Sequence, residues 1–523
     1  MMTKNDKLLY NKNGSVIKIT SFMRERQTLF ARRHHIYSEL ADIVGNDDVI
    51  DDEVELLSYS VHGIPLRKSS LAKGEHTVVI ADYVVYPENT GEVQKIVRLA
   101  NRYKIPIIPF AGGSGVGSRP VYGGIIVDLK KMNKILEIDK VSNVVTVEAG
   151  IYISELEDEL KREGYELKHL PASYFCACVG GFIANRSAGR LSTKYGKIEN
   201  MVVSLKVVLP NGEVLTTPAV PGHAVGPDLN QLFIGSGGIF GIVTEATLKI
   251  YPYPEKRVFR AFLFKDLTSG MEAMREIMQS DLHPCLARLY DPLETSSDFF
   301  KFSLVPKDLH KLIESMPQCC YLVIGFDGKS EMVELEDRMA SQICIKHGAK
   351  DLGQEAGQYW WEHSLDDYYP GPNRPNRHSQ FFSEDEIYIY DVFDYCVLYK
   401  YAMKVWEEAK EELNRRFKHS VFYGHFSHWY PNGTMFYPMV FVWNIPDDPK
   451  MSTLTYEEAG SVVMRTAMKY GGAFQHHHGV GSSLGRFMPE QWGLAGFHLL
   501  LSIKKALDPN NIMNPGVLGF EAV

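Results

Sequence analysis

The sequence predicts an α+β protein built from more than one domain. Short β-branched runs alternate with amphipathic helical stretches, and several of these runs lie next to glycine-rich loops. With 45% hydrophobic and 23% charged residues, the composition is that of a globular chain and not of a disordered one. At about 150 residues per domain, a chain of 523 residues favours two to four domains.

The first α+β unit is predicted over residues 77–254. It opens with a strand in HTVVIADYVVYP, a helix in EVQKIVRLANRYK and a strand in IPIIPF, which runs directly into the loop AGGSGVGS. Three short strands follow in GGIIVDLKKM, KILEID and NVVTVEAG, and then the amphipathic helix SELEDELKREG. Asn211-Gly212 is a hairpin signal within MVVSLKVVLPNGEVLTT. Pro252 and Pro254 indicate a boundary after the strand of IVTEATLKI.

A second α+β unit is predicted over residues 255–465. Its strands lie in FRAFLF, CYLVIGF and FYPMVFVW, and its helices in SEMVELEDRMASQICIKHG and YKYAMKVWEEAKEELNRRF. Residues 359–394 are predicted to be irregular and are crowded with aromatic side chains, which suits either a second core or the wall of an apolar pocket. The helix GLAGFHLLLSIKKALD and the loop PNNIMNPG close the chain within residues 466–523.

Charge and cysteine content exclude several classes of protein. The 56 Lys and Arg against 64 Asp and Glu leave a net charge of -8, so no basic field attracts a nucleic acid. The seven cysteines lack paired CxxC spacing, which predicts reduced thiols and no zinc or iron–sulfur site. Without an apolar run of about 18 residues or a secretory signal in Met1–Tyr10, we expect a cytoplasmic protein. The basic stretch Lys18–Arg33 suits either a membrane surface or a helix packed on the main body.

Three separate glycine-rich stretches suggest one extended ligand. In PFAGGSGVGS, converging backbone N–H groups could hold a phosphate, although the loop lacks the Walker lysine and the helix of a Rossmann fingerprint, and a plain tight turn also explains it. In VGGFIANRSAGRLSTKYGKIENM, many small side chains let a large flat group approach the backbone. GPDLNQLFIGSGGIFGIVTEATLKI again places glycines before a strand. Together the three stretches predict a single extended cofactor.

In this order, the three stretches resemble the FAD-binding domain of the vanillyl-alcohol oxidase and p-cresol methylhydroxylase superfamily. Within it, ARLYD, GHFSHWYPNGTMFY, GGAFQHHHGVG and LDPNNIMNPG are most similar to the alkyldihydroxyacetonephosphate synthases and their bacterial relatives. The resemblance implies a two-subdomain, PCMH-type FAD-binding domain at 77–254 and a substrate (cap) domain with an antiparallel sheet at 255–465. It also implies a helical extension at 1–76 and a segment at 466–523 that returns to the FAD domain and completes the active site.

The resemblance further implies which residues hold FAD. The pyrophosphate loop comprises Ala111, Gly112, Gly113, Ser114 and Gly115. The flanks of the cofactor comprise Pro171, Ser173, Val179, Gly180, Gly181, Asn185, Ser187, Gly189, Tyr195, Gly196, Gly241 and Ile242. Some relatives attach the flavin through a histidine of the pyrophosphate loop. This loop offers a serine and no histidine, so we expect noncovalent FAD unless a histidine elsewhere in the chain forms the link.

Three adjacent histidines, His476, His477 and His478, are the strongest catalytic candidates. An imidazole can donate to a substrate oxygen, take up a proton near neutral pH or position an anion. By the resemblance, Tyr437 matches the acid/base tyrosine of the synthases, and Arg288 matches their substrate-contacting arginine.

A divalent metal is the alternative for the same region. Related 2-hydroxy-acid dehydrogenases bind an ion through two histidines and a glutamate, but here Tyr437 stands near the second histidine position and His477 at the glutamate position. His425, His428 and the triplet could still assemble a site. Because the family's ligand set is broken, we predict no metal.

The leading hypothesis is an FAD-dependent oxidoreductase that oxidises an alcohol, hydroxy acid or phenolic carbon by hydride transfer, with oxygen, a quinone or a protein as electron acceptor. The alternatives are a synthase-like transferase that exchanges acyl for alkyl through a covalent flavin adduct, and a flavin-binding protein without catalysis. DEIYIYDVFDY has no arginine where the synthases bring one to the substrate's phosphate, although Arg374 and Arg377 lie nearby in sequence. We expect a small, apolar or aromatic-bearing substrate and a homo-oligomer.

Overall fold

The computed structural model of the protein describes residues 8–10, 16–18, 33–59, 81–115, 124–366, 368–369 and 387–520. The basic stretch Lys18–Arg33 lies outside this part except at its two ends, and Arg374 and Arg377 lie outside it entirely. Within the described residues, no helix is both long and apolar enough to span a bilayer.

The first sheet carries the predicted pyrophosphate loop. After a hairpin of β1 (Leu8–Tyr10) and β2 (Val16–Lys18), the sheet is formed by four strands: β3 (Val49–Ile50), β4 (Tyr83–Val85), β5 (Ile107–Phe110) and β6 (Ile125–Asp128). Their order is β3-β4-β6-β5, and β4, β6 and β5 run parallel. The loop therefore leaves the carboxyl end of a parallel strand, which is where open sheets of this kind bind ligands.

An antiparallel sheet of five strands completes the N-terminal half. Its strands are β7 (Ile135–Asp139), β8 (Val144–Glu148), β10 (Val202–Val208), β11 (Val214–Thr216) and β12 (Ile242–Lys249). Their spatial order is β11-β10-β12-β8-β7. In sequence, β9 (Tyr165–Glu166) lies between β8 and β10 but is not part of this sheet. The hairpin signal is confirmed: β10 and β11 pair antiparallel across a turn in which Gly212 has φ 80°. β13 (Tyr251–Pro252) pairs with β9.

The second half contains a large antiparallel sheet, as predicted. Its strands are β14 (Lys256–Phe264), β15 (Leu286–Tyr290), β16 (Cys320–Gly328), β17 (Lys350–Leu352), β18 (Tyr388–Val392), β19 (Tyr395–Leu398), β20 (Ser420–Trp429) and β21 (Gly433–Trp443). The spatial order is β17-β14-β16-β15-β20-β21-β18, and β19 also pairs with β21. This sheet brings β15, β20 and β21 side by side, and each of them carries a candidate site residue.

Helices cover the sheets. The longer ones are 33–44, Thr90–Tyr103, Ile153–Arg162, Leu267–Met278, Ser330–Lys346, Gly353–His363, Tyr399–Arg416, Pro449–Lys469 and Met488–Leu507. Short helices are Glu53–Tyr59, Val179–Ala184, Ser192–Tyr195, Ile198–Met201, Asn230–Phe233, Pro292–Ser296, Asp298–Leu304 and His310–Glu314. Local chemistry explains their starts: Asn89 accepts a hydrogen bond from the Glu92 amide, and Asp266 accepts one from the Ser269 amide.

The prediction of an irregular stretch over 359–394 is wrong at both of its ends. Residues 359–363 continue the helix Gly353–His363, in which Ala356 and Trp360 are buried one turn apart. Residues 388–392 form β18, which pairs with β21. The crowded aromatic residues hide both the helical period and the alternation of the strand, because the inner and outer faces of these elements carry equally apolar side chains.

The C-terminal segment returns to the first half of the chain, as predicted. The Ile107 amide donates to the Ile512 carbonyl (2.6 Å), and the Asn514 amide donates to the Ile107 carbonyl (2.8 Å). The Asn514 side chain also donates to the Gly237 carbonyl (2.6 Å). The segment is thereby fixed beside β5 and the third glycine stretch.

Candidate active site

A cleft of about 900 Å³ lies between the N-terminal half and the large antiparallel sheet. Glycines of all three predicted stretches line it: Gly112, Gly113, Gly115, Gly180, Gly181, Gly189, Gly237, Gly238 and Gly241. The wall contributed by the second half and the C-terminal segment includes Arg288, Ser427, His428, Tyr437, His477 and His478. The three stretches therefore meet in one groove that faces imidazole side chains.

The loop after β5 packs directly on the second glycine stretch. A Cβ on Gly112 would lie 1.8 Å from the Cys176 carbonyl oxygen of the backbone, and one on Gly115 would lie 2.7 Å from the side-chain Nδ2 of Asn185. Gly113 has φ 65°, a conformation that few side chains tolerate. Glycine is thus required here by close backbone packing, which keeps the loop flat against the floor of the cleft.

The cleft has the features expected of a cofactor site. Its volume falls within the range of about 300–1,000 Å³ typical of such sites. The Ser427 hydroxyl and the Arg190 Nε are buried and have no hydrogen-bond partner within the described chain, and both residues line the cleft. Because buried polar groups are nearly always hydrogen-bonded, these two atoms fit a bound polar ligand.

Asp394 anchors the histidine triplet. This fully buried carboxylate follows β18 and accepts hydrogen bonds from the backbone amides of His476 and His477, both at 2.9 Å. Its two oxygens also lie 3.1 Å from the His477 Nδ1 and 2.8 Å from the His478 Nδ1. The carboxylate therefore fixes the loop through two backbone amides and lies within ion-pair distance of two imidazole rings, in each case at Nδ1.

The electrostatics of the triplet separate its members. For Asp394, burial would raise the pKa, but the attraction of His478 and His477 outweighs burial and holds the pKa well below its usual range. For His477, burial and then His478 lower the pKa to about 4, despite Asp394. For His478, burial lowers the pKa, but Asp394 outweighs it and the net shift is upward. His477 is therefore neutral at pH 7.

Tyr437 lies against this cluster. It sits on β21 directly opposite His425 of β20, and the two rings are stacked with centroids 5.0 Å apart. Its ring centroid is 6.1 Å from that of His477 and 5.5 Å from that of His478. His425 in turn places Nδ1 2.9 Å from a buried oxygen of Glu294. The tyrosine is held by a stacked histidine on one side and faces the triplet on the other.

His428 forms a further part of the wall. Its ring stacks on that of His476 at 4.9 Å, and its Nδ1 is hydrogen-bonded to the Ser192 hydroxyl. Burial, followed by His476 and His477, lowers its pKa well below the usual value. Donor atoms of His428, His476 and His477 lie within 4.8 Å of one another, and so do those of Asp394, His477 and His478. A metal ion could reach either set, so the absence of a metal stays a prediction.

Comparison with known proteins now identifies the chain. Residues 81–218 match the family model described as FAD binding domain, and residues 253–518 match the one described as FAD linked oxidases, C-terminal domain. The chain belongs to the FAD-linked oxidase family. FAD is thus the cofactor class of this oxidase, and the three glycine stretches lie in or beside the first matched segment.

Individual relatives of this FAD-linked oxidase cover nearly its whole length. An alkyldihydroxyacetonephosphate synthase from Dictyostelium discoideum is 30% identical over 90% of the chain and 78% of the relative. An uncharacterized FAD-linked oxidoreductase, YgcU, from Escherichia coli (strain K12) is 29% identical over 93% of the chain and 98% of the relative. A solved alkyldihydroxyacetonephosphate synthase superposes with a TM-score of 0.74 at 28% identity, covering 92% of this chain and 85% of that one.

The fold is also shared with a solved structure of lower sequence identity. A p-cresol methylhydroxylase structure superposes with a TM-score of 0.71 at 20% identity, covering 93% of this chain and 97% of that one. At this identity the likeness concerns the fold alone. The predicted α+β fold class is confirmed, and the two family matches together with the synthase relatives confirm the predicted resemblance.

The structure places most predicted site residues in the cleft. Four of the predicted residues do not line it: Val179, Tyr195, Gly196 and His476. Val179 is fully buried, and the Tyr195 hydroxyl donates to Asp327 instead. His476 lies behind the wall, where its Nε2 is 2.6 Å from the Tyr430 hydroxyl. The roles of the residues that do line the cleft stay predictions.

Sequence reasoning missed three residues of the site. Asp394 carries no local signal, because a single aspartate in VFDYC resembles any loop residue. Arg190 lies inside the second glycine stretch, where attention falls on the small residues. His428 is weighed from the sequence only as a metal ligand. In each case, what marks the residue as part of the site is its contact with another residue that is close in space but remote in sequence.

Proposed function

We propose that this member of the FAD-linked oxidase family removes a hydride from the carbon that bears the hydroxyl group of an alcohol or hydroxy acid, or from the benzylic carbon of a phenolic substrate. Bound FAD would supply the hydride acceptor. The observation that carries the proposal is the neutral His477, oriented by the buried Asp394 and set beside Tyr437 on the wall that faces the glycine stretches.

His477 is the proton acceptor in this proposal. The contact between Nδ1 and Asp394 favours the tautomer that carries its proton on Nδ1, which leaves Nε2 as the acceptor. An imidazole that is neutral at pH 7 can take the proton of a substrate hydroxyl. The hydride leaves the carbon that bears this hydroxyl in an alcohol or hydroxy acid, and the benzylic carbon in an alkylphenol. Tyr437, whose ring centroid lies 6.1 Å from that of His477, is the second acid/base group in this proposal, and Arg288 orients the substrate.

The test uses the purified, FAD-containing protein. Mixing it anaerobically with alcohols, hydroxy acids and alkylphenols should bleach the oxidised flavin band with at least one of these classes. The same substrates should leave the flavin oxidised in the His477→Gln variant, which retains its yellow colour. A flavin that stays oxidised with every class in the parent protein would contradict the proposal.

Two properties of the cofactor site belong to the same proposal. FAD is bound noncovalently, so denaturation should release all of the yellow chromophore, and colour retained on the precipitated chain would refute this. No metal takes part, so prolonged dialysis against EDTA should leave turnover unchanged. Oxygen, a quinone or a carrier protein accepts the electrons, and the working unit is a homo-oligomer.

The second candidate is the redox-neutral exchange of an acyl for an alkyl group through a covalent flavin adduct. It is favoured by the likeness to alkyldihydroxyacetonephosphate synthases over most of the chain. An adduct spectrum that forms with acyl-dihydroxyacetone phosphate as fatty acid is released, and that decays with formation of the alkyl product when a fatty alcohol is added, would select this reaction. Bleaching by an alcohol alone would select the oxidation.

A further inference from the structure

We propose that Arg190 and Arg288 together form an anion-binding subsite in the cleft, which selects substrates that carry a carboxylate or phosphate group. The inference rests on the proposed function because it narrows the substrate of the same site. Arg288 is already the expected substrate contact, and the new element is Arg190.

Two adjacent tryptophans hold the two guanidinium groups. Arg190 lies over the Trp361 ring at 4.6 Å and Arg288 lies over the Trp360 ring at 5.4 Å. Both tryptophans belong to the helix Gly353–His363; Trp360 is fully buried and donates to the Tyr290 hydroxyl at 2.8 Å. Trp361 stacks on Phe259 with ring centroids 4.4 Å apart. The platform is thus rigid, and both arginines line the cleft.

Neither guanidinium contacts a carboxylate in the described part of the chain. Within the described residues, no Asp or Glu oxygen lies within 4.0 Å of either guanidinium. For Arg288, burial lowers the pKa, but Tyr290, Tyr368 and the more distant Glu294 outweigh burial and the net shift is upward. Arg190 donates from Nη1 to the neutral Ser364 hydroxyl, and its buried Nε has no partner in this part of the chain. A planar guanidinium with an unused N–H edge is suited to bidentate recognition of carboxylate or phosphate.

The proximity of the two charges is unfavourable without a ligand. Burial, followed by the positive charge of Arg288, lowers the pKa of Arg190 to about 10. Two like charges in a partly desolvated wall repel each other, and an anion placed between them removes that repulsion.

The experiment titrates the FAD-loaded full-length protein with inorganic phosphate and, separately, with oxalate at low ionic strength. Binding is followed through the difference spectrum of the flavin and by calorimetry. We expect Arg190→Gln to weaken the affinity for the preferred anion at least about tenfold, because a charge-assisted hydrogen bond is lost. Arg190→Lys should recover part of the affinity, since it restores the charge without the planar fork.

Arg186→Gln is the matched control. Arg186 precedes Arg190 by four residues but is exposed, does not line the cleft and pairs with Glu199 and Gln231 at 3.1 Å. Its substitution should leave both affinities unchanged. Tighter binding of phosphate would assign a phosphate ester, and tighter binding of oxalate would assign a carboxylate.

Three outcomes would overturn the subsite. These are no binding of either anion to the parent protein, equal binding to Arg190→Gln, or a shifted flavin potential in that variant with unchanged anion affinity. The last outcome would assign Arg190 to the flavin itself. Anion binding needs no turnover, so the two proposals can be tested separately. Anion binding without substrate-dependent bleaching of the flavin would refute only the proposed oxidation. Bleaching without anion binding would refute only the subsite.

Discussion

Two groups of charged residues meet near Trp361 and differ in how their charges are balanced. The balanced cluster consists of Glu166, Lys168, Arg257 and Asp327. There Arg257 Nη2 lies 2.7 Å from Glu166 and 3.0 Å from Asp327, and Lys168 Nζ lies 3.0 Å from Asp327. The cleft wall consists of Arg190, Arg288, Tyr437, His477 and His478, and its two arginines have no carboxylate within 4.0 Å in the described chain.

Arg257 makes the comparison direct, because it lies over the same Trp361 ring as Arg190, at 5.8 Å. Burial would lower the pKa of Arg257, but Glu166 and Asp327 outweigh burial and raise it. For Arg190, burial and Arg288 act in the same direction and lower the pKa. Carboxylates therefore lie close to Arg257 but not to Arg190. We infer that the balanced cluster stabilises the structure and that the arginines of the cleft wall bind a ligand.

The balanced cluster also joins the two halves of the chain. Glu166 belongs to β9 in the first half, whereas Arg257 and Asp327 belong to β14 and β16 in the large sheet. The Tyr195 hydroxyl, from the second glycine stretch, donates to Asp327 at 2.7 Å. This cluster therefore fixes the relative position of the walls of the cleft.

The largest expected effect is that of His477→Gln on turnover. Loss of the proton acceptor should lower kcat about 10²- to 10⁴-fold, the usual contribution of a general base. The flavin content and the midpoint of urea unfolding should stay close to those of the parent protein, because the residue serves the cleft wall and not the balanced cluster. A loss of kcat smaller than tenfold would remove His477 from the proton-acceptor role.

Asp327→Asn should break the balanced cluster. Lys168 and Arg257 would keep Glu166 but lose Asp327, the second carboxylate that they share. Removal of one partner of a buried ion pair costs about 3–5 kcal/mol. Urea unfolding measures this change. Asp351→Asn is the matched control, because Asp351 pairs with Arg260 at 3.0 Å but is itself about one-third exposed. A similar small loss in both variants would contradict the distinction between the two groups.

The secondary structure and the glycine groove follow largely from the sequence, because both depend on local pattern. The period of Thr90–Tyr103, which buries Val93, Ile96 and Val97, is legible in sequence, and so is the Asn211-Gly212 turn. Positions where close backbone contact requires glycine, such as Gly112, can also be recognised in the sequence as glycine-rich stretches.

The wall chemistry does not follow from local pattern. Asp394 lies 82 residues before His476, from whose backbone amide it accepts a hydrogen bond. Arg190 lies near Arg288 because it packs on the helix Gly353–His363, whose period is hidden by aromatic residues. These neighbours arise from the pairing of β18 and β19 with β21 and from the packing of Gly353–His363 on β14 and β16. Non-local strand pairing carries no signature in a single sequence.

Arg190→Gln should have the opposite sign to Asp327→Asn. In phosphate-free and oxalate-free buffer, removal of one of two repelling charges should raise the free energy of unfolding by about 1 kcal/mol. With a saturating anion present, the parent protein should gain stability by ligand binding while the variant gains much less. Urea unfolding with and without the anion measures both effects. A destabilised variant in anion-free buffer would show that Arg190 is structural, like Arg257.

The smallest expected effect is that of pH between about 6 and 8. Protonation of His477, which would prevent it from accepting a proton, should not limit the rate in this range. An imidazole accepts a proton only when it is neutral, and His477 is neutral above its pKa, which burial and His478 lower to about 4. The acidic limb of kcat/KM, measured by rapid pH jump, should therefore lie near pH 4 and not near the ordinary histidine pKa of about 6.5. Asp394→Asn removes the attraction that opposes burial, so it should move the limb to still lower pH. A limb near pH 6.5 that persists in Asp394→Asn would show that another group accepts the proton.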